Sequence, residues 1–374
     1  MLHLLGNLRK LVSLRKVHID GNVFRLYTNA TVALLLAFCM LLTAKEYVGS
    51  PIDCFCPTLP KSVVDSFCWI ESTYSVKSLF NLSKREEVVY PGAGHSITGS
   101  GDRKHHVYYQ WVCFLLFCQA ISFYFPRWLW KAWEGGKVPA IVSSLDVKSS
   151  MLQDRGDMQT QLVDFLVLNL NRNNWYFSRY LWCELLCVVN VVVQISLTDL
   201  VLGGGFFLFG SDVVRWQRQA RPELANPMVV MFPRIAMCSF AKYGDSGAIE
   251  NREAICVLPL NVLNEKLFLF LWFWYVGLLV VGVLTLCYRV ILIAHAPLRS
   301  QLLQLRFPDS GRLGALVKSL SVGDVFLLGL IGQNVDALVF SQLVGELSRR
   351  VVKAPRALAE PGAHPAYCNT QSRA

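Results

Sequence analysis

The sequence predicts an all-α membrane protein that crosses the bilayer four times. Three observations carry this. First, the 374 residues are 53% hydrophobic and 17% charged, whereas a soluble domain is about 25% charged. Second, the apolar residues are gathered into four long runs instead of being spread. Third, the run Tyr108–Trp133 is marked at both ends as a span is. No charged side chain lies between Tyr108 and Pro126, 19 residues that make roughly 28 Å of helix, enough for most of a hydrocarbon core. Tyr108, Tyr109 and Trp111 stand at one end, Trp128, Trp130 and Trp133 at the other. Rings with a polar edge settle at headgroup level, and Arg127 and Lys131 hold the second end in water.

Residues 1–26 precede the first span. Leu4, Leu5, Leu8, Leu11 and Val12 recur at helical spacing, with Arg9 and Lys10 turned away, until Arg15 breaks the pattern. A helix lying on the membrane and a helix folded back against the spans both fit. No short apolar core precedes a small-residue cleavage site, so the first span is expected to act as its own targeting signal. That span, 27–47, has its apolar core at Ala30–Ala44 and closes at Lys45 and Glu46. It is short enough to need Val23–Tyr27 or a tilt. Residues 48–106 form a polar loop with Cys54, Cys56 and Cys68, a sequon at Asn81-Leu82-Ser83 that makes Asn81 a candidate glycan acceptor, and a flexible run at Pro91–Gly101.

The second span is 107–129. Pro126 is expected to end or kink it, because proline lacks the N–H and crowds the preceding turn. Residues 130–178 return to mixed charge, with helical spacing in Gln159–Leu170. The third span, 179–202, is the least apolar, with Glu184, Asn190, Gln194 and Asp199. Asn190, Gln194 and Thr198 follow at steps of four and share a face. Polar groups at such depth face the bundle interior or a water path, so interhelical hydrogen bonds and pore lining both fit. Gly203–Gly205 breaks the helix, and 203–266 is a second polar loop with Cys238 and Cys256. The fourth span is 267–294. Asn261 or Asn264 is the expected cap, Glu265 suits the positive helix end, and Arg289 marks the exit. Residues 295–374 read as water-soluble, with a helical pattern at Asp336–Val351 and disorder predicted after about 355 from the Pro/Ala-rich composition.

Four spans put both termini on one side. Arg9, Lys10, Arg15, Lys16 and Arg25 against the single acid Asp20 place that side in the cytoplasm. Of twelve cysteines, five lie in the two loops this places outside, six within spans, and Cys368 in the tail, which agrees with disulfides persisting on the oxidising side. The formal net charge is +10. Its basic residues are scattered singly beside apolar runs, which suits anionic membrane lipids as partners and not nucleic acid.

No phosphate-cradling loop, HExxH, paired CxxC or Gly-x-Ser-x-Gly is present. The sequence therefore predicts no enzyme, no catalytic residue, no metal centre and no cofactor; His105-His106 lacks further ligands. Each loop, of roughly 60 residues, has no apolar run able to build its own core, so stapling is expected. Cys54, Cys68, Cys238 and Cys256 can link loop to loop or each loop to itself, and Cys56 makes the count odd. Cys39, Cys113, Cys118, Cys183, Cys187 and Cys287 read as small apolar fillers within spans.

Tyr108-Tyr109-Gln110-Trp111-Val112, opening the second of four spans, resembles the signature of the innexins, the invertebrate gap-junction proteins. Pro51–Cys54, Phe67–Ile70, Trp128–Gly136, Cys256–Asn261 and Asn264–Lys266 also resemble innexin runs, in order, over roughly residues 17–350. The resemblance implies a large-pore channel: an oligomer of this chain or of other innexins, typically an octamer. Opposed hemichannels of neighbouring cells dock through their outer loops and pass ions and small molecules. It implies a plasma-membrane, gap-junction location and a helical cytoplasmic dome. It also implies the disulfides Cys54–Cys256 and Cys68–Cys238, and an N-terminal helix turned into the pore, with Met1, Leu2, His3 and Leu4 as lining candidates. Two departures stand out: the additional Cys56, and Val325 where the family usually has tryptophan. The competing readings are an unpaired, pannexin-like hemichannel and a non-conducting four-span adhesion protein. Tetraspanins carry a Cys-Cys-Gly motif that is missing here, while a glycan on Asn81 would hinder docking.

Overall fold

The computed structural model describes residues 17–57, 59–81, 90–94, 102–145, 152–219, 226–244, 246–306, 316–317 and 319–353. Met1, Leu2, His3 and Leu4, the sequon residues Leu82 and Ser83 with the side chain of Asn81, most of the glycine-rich run and the tail after 353 lie outside this set. Four described helices are long and apolar enough to cross a membrane: α1 (Asn22–Val48), α3 (Val112–Glu134), α6 (Asn174–Val201) and α9 (Pro259–Ala294).

The boundaries differ from the sequence reading for local reasons. Helix α1 takes in Val23–Tyr27, the residues a short apolar core needed. It contains a π-helical turn at Leu26–Ala30, where Thr28 Oγ1 donates to the Phe24 carbonyl and Thr31 Oγ1 to the Leu26 carbonyl, each at 3.0 Å. Pro126 does not end α3, which runs on to Glu134. Tyr108–Gln110 form a 3-10 turn ahead of α3. The expected ring belt is accordingly split: Trp111 and Trp128 are exposed, whereas Tyr108, Tyr109 and Trp130 are buried in protein. Helix α9 begins at Pro259, whose missing N–H is no loss at a first helical position. Asn261 and Asn264 therefore sit inside the helix and do not cap it.

The chain divides into two compact units. The first comprises Met1–Gly21, Leu129–Cys183 and Leu286–Ala374. Its further helices are α4 (Lys137–Leu145), α5 (Leu152–Leu168), α10 (Ala296–Arg306), α11 (Val322–Asn334) and α12 (Ala337–Lys353). Helix α11 packs on α4 and α12 on α5, burying Val138, Ile141, Val163, Ile331, Phe340 and Leu343. Asp324 organises this unit. It completes a capping box with Ser321 at the start of α11 and accepts from the Asn171 N–H at 2.9 Å and Asn173 Nδ2 at 2.7 Å. Val325, the departure from the family pattern, is half-buried. The anchoring ring is its neighbour Phe326, with centroids 4.8 Å from Tyr180 and 5.2 Å from Phe177.

The second unit comprises Asn22–Trp128 and Glu184–Thr285. The sequence reading assigned no strands to its two loops, yet they share a five-stranded sheet of order β1-β5-β4-β2-β3. The strands are β1 (Asp53–Phe55), β2 (Thr73–Val76), β3 (Arg103–His106), β4 (Ile235–Tyr243) and β5 (Ile249–Val257), with α2 (Lys61–Glu71), α7 (Phe206–Gln219) and α8 (Pro227–Met231) between them. All pairings are antiparallel. β1, β2 and β3 have three or four residues each, too few to show a period-two pattern, and β1 and β2 pair with β5 and β4, far away in sequence. Neither loop builds a core alone, as expected. Together they bury Ile52, Val64, Ala236, Ala254 and Leu258 around four cysteines.

Replacing Asp324 by alanine removes a helix cap and takes away the acceptor shared by the Asn171 N–H and the buried Asn173 Nδ2. We expect a loss of about 2–4 kcal/mol in the stability of the first unit, seen as a lower melting temperature in detergent and faster proteolysis of α11 and α12. An unchanged melt would count against Asp324 as the organiser.

Candidate functional site

The cysteine-braced sheet is the most constrained assembly in the second unit. Cys54 lies opposite Cys256 in the β1–β5 register, and the two are bonded. Cys68, on α2, is bonded to Cys238 on β4. These are the pairings that the resemblance implied. Register selects Cys54 over Cys56: Cys54 points inward directly opposite Cys256, while Cys56 falls just past the strand. The bridges close segments of 202 and 170 residues. In the chain-entropy account each removes about 5 kcal/mol of denatured-state freedom. Sulfurs of Cys54, Cys68 and Cys256 lie within 4.8 Å of one another, but cystine sulfur offers no thiolate for a metal. Asp65 of α2 accepts from the Cys54 N–H at 2.6 Å, so the helix blunts the outer edge of β1.

The Tyr-Tyr-Gln-Trp turn holds this sheet to the start of α3. Tyr109 Oη donates to the Cys68 carbonyl at 3.3 Å, and the Gln110 side-chain amide donates to the Trp69 carbonyl. The Trp69 and Tyr109 rings meet at 4.7 Å, and Tyr108 sets its edge on Phe232 at 5.6 Å. The signature residues are thus joints between a span and the sheet. On the far side, Arg234 makes a two-pronged pair with Glu265, Nη2–Oε1 at 2.7 Å and Nε–Oε2 at 3.2 Å. Glu265 is fully buried, so its role is to pair, not to favour a helix end. Asn261 Nδ2 donates to the Pro233 carbonyl at 2.8 Å, fastening α9 to the segment leading into β4.

Within the spans, the polar stripe of α6 is hydrogen-bonded to another helix, α3. Gln119 Nε2 donates to Thr198 Oγ1 at 2.9 Å, and Tyr275 Oη to Gln119 Oε1 at 3.0 Å. Ser122 Oγ donates to Asn190 Oδ1 at 2.6 Å and accepts from Gln194 Nε2 at 3.0 Å. Asn190, Gln194 and Thr198 are buried. Of the two readings left open by sequence, interhelical bonding is the one realised in this subunit. The network ties α3, α6 and α9 together.

A further joint had no sequence signal. In the first unit, Asn334 of α11 accepts from the His18 N–H and donates Nδ2 to the His18 carbonyl, both at 2.7 Å. Trp130 Nε1 donates to the Ile19 carbonyl at 3.0 Å, and the Gly21 N–H to Tyr180 Oη at 3.0 Å. The strand of chain entering α1 is thus held by side chains from three other segments. A lone asparagine and a lone tryptophan carry no periodicity that would have revealed it.

A sequence profile described as Innexin matches residues 20–351. Innexin shaking-B of Drosophila melanogaster is 42% identical over 354 residues, 94% of this chain and 95% of its own length. Innexin inx2 of Drosophila melanogaster is 41% identical over 355 residues, covering 94% and 96%. Innexin inx1 of Schistocerca americana is 34% identical over 353 residues, covering 94% and 98%.

One titration follows from the sheet. His106 of β3 is buried and shares a 2.7 Å hydrogen bond with Ser75 Oγ on β2. Burial, with the nearby charges of Lys104 and His105, pushes its pKa down to about 3. The unfolded chain takes up its proton near pH 6.5, so between there and about 3 the unfolded state binds more protons. Stability from this group is complete above that range and declines as pH falls, by at most about 1.4 kcal/mol per pH unit. Hydrogen-exchange protection of β2 and β3 should drop between about pH 7 and pH 5, and the drop should flatten in His106→Gln. An equal drop in both proteins would assign it elsewhere.

Proposed function

This chain belongs to the innexin family, and we propose from that premise how its two units serve a gap-junction channel. It is a subunit of gap-junction channels in the plasma membrane. Oligomeric hemichannels of such subunits, alike or mixed, dock between adjacent cells and pass ions and small molecules passively. Membership does not favour the unpaired-hemichannel or adhesion readings.

In our reading the two loops that share the sheet are extracellular, and both termini are cytoplasmic. Eight subunits ring the pore, and the N-terminal segment, including Met1, Leu2, His3 and Leu4, lines its cytoplasmic mouth. The observation that carries the docking reading is the pair of disulfides joining the two loops in one sheet. Such bonds belong in an oxidising compartment. A docking surface must meet its mirror partner without first paying ordering entropy, and a cross-linked sheet is already ordered. The basic residues ahead of α1 support the same orientation. Passage needs no catalytic group, so we assign the chain no enzymatic activity. Selectivity then comes from pore width and lining charge. Asn81 remains our candidate glycan acceptor on the outer side.

Paired cells test this directly. Cys68→Ser should abolish junctional conductance while protein is still made, and normal coupling in that variant would sink the braced-loop account. Dye uptake by single cells, measured alongside, separates lost docking from a lost channel. If the N-terminal segment lines the pore, protonation of His3 near pH 6–7 changes conductance, since histidine titrates around 6.5. His3→Gln should then show a flatter pH response, and an unchanged response would remove His3 from the pore.

A further inference from the structure

We propose that the first turns of α7 are immersed in lipid, in the leaflet on the sheet's side. The segment between α6 and β4 would then be a membrane-surface helix as well as a connection. The proposal rests on the spans alone and not on the docking reading.

Helix α7 is divided along its length. Phe206–Gly210 carries no charge, while the remainder carries Asp212, Arg215 and Arg218. The apolar half is seated on α9. The Phe206 ring meets Phe268 edge-on at 6.2 Å, and Trp272 Nε1 donates to the Phe207 carbonyl at 3.1 Å. Gly210 is required there: a methyl group in its place would collide with the Trp272 ring. Depth follows from α9. Lys266, exposed and paired with Glu265 at 3.3 Å, marks the end of α9 that stands in water. From Lys266 inward the helix carries no charge until Arg289. Trp272 is six residues along it, about 9 Å further in. The α7 backbone that Trp272 holds is thus at the depth reached by the apolar face of a surface-lying helix, about 5–10 Å into the headgroup–acyl boundary.

What α7 turns outward at that level is apolar. Phe207 is 53% exposed, Leu208 64%, and Leu200, in the last turn of α6, 77%. The backbone also suits lipid. Gly203, Gly204 and Gly205 all have positive φ, at 76°, 90° and 95°, which reverses the chain tightly. Asp199 then accepts from the Phe206 N–H at 2.6 Å and the Phe207 N–H at 3.3 Å, covering donors that a helix start leaves open and that hydrocarbon would not satisfy. Arg215 and Arg218, both exposed, follow two to three turns later, where cationic side chains can reach lipid phosphates. Apolar side chains first, cations next and a fixed depth together describe a lipid surface better than a protein neighbour.

The test uses the assembled full-length channel in nanodiscs of phosphatidylcholine and phosphatidylserine, with a trace of phosphatidylcholine bearing an acyl-chain diazirine. After irradiation, adducts are located by peptide mass spectrometry. The proposal expects adducts on Phe207 and Leu208 at yields of the same order as on Phe273 of α9, which is itself exposed. It expects loss of adducts at the Tyr243–Ile249 end of the β4–β5 hairpin. Adducts on Phe273 without adducts on Phe207 and Leu208 would overturn it, whether a second subunit or water covers α7. A second variant gives an independent reading. Leu208→Asp should lower labelling of Phe207 while Phe273 labelling holds, whereas unchanged labelling of Phe207 would also overturn the proposal.

Discussion

Two covalent bonds in the second unit govern how the rest of it can form. Cys54–Cys256 and Cys68–Cys238 join segments from the two halves of the chain, and the sheet is built across that junction, β1 on β5 and β2 on β4. Neither loop is long or apolar enough to be a domain by itself. With the bridges in place, a few buried residues such as Val64 and Leu258 suffice to close a core. The Tyr108–Trp111 turn then transfers that rigidity to α3, since its hydrogen bonds end on the carbonyls of Cys68 and Trp69. For a channel whose outer face must meet a mirror image, rigidity at the sheet and its firm attachment to the spans are one requirement.

Inside the spans the same logic runs through hydrogen bonds. Gln119, Ser122, Asn190, Gln194, Thr198 and Tyr275 are polar groups placed where lipid offers no partner, and they hydrogen-bond one another across three helices. Such bonds are individually modest in membranes, roughly 0.6 kcal/mol on average. Their value lies in register: the polar groups match in one alignment of the helices. The π-helical turn in α1 is a comparable adjustment, with Thr28 and Thr31 hydroxyls taking up main-chain carbonyls there.

In the first unit the recurring device is a side chain that imitates main chain. Asn334 bonds both the N–H and the carbonyl of His18, as a neighbouring strand would. The Asp324 carboxylate does the equivalent for the turn around Asn171 and for the start of α11, accepting from the Asn171 and Ser321 N–H groups. These contacts fix irregular segments that have no helix or sheet ladder of their own.

Length and apolar clustering in the sequence by themselves determined the four helices, because a span must be about 20 residues of uncharged side chains whatever surrounds it. The set of motifs likewise determined the family, and with it the cysteine pairing. What sequence left open was decided by tertiary structure. Asn190, Gln194 and Thr198 share a face by periodicity, but whether that face meets water or Gln119 and Ser122 depends on helices far away in the chain. The start of α9 and the burial of Tyr108 and Tyr109 depend on the sheet they support. The sheet itself was illegible because β1, β2 and β3 are three or four residues long, β5 carries Glu250, Arg252 and Glu253, and the partner of β1 lies about 200 residues away. Local patterns report local conformation, and pairing across such distances exists only once the chain has closed on itself.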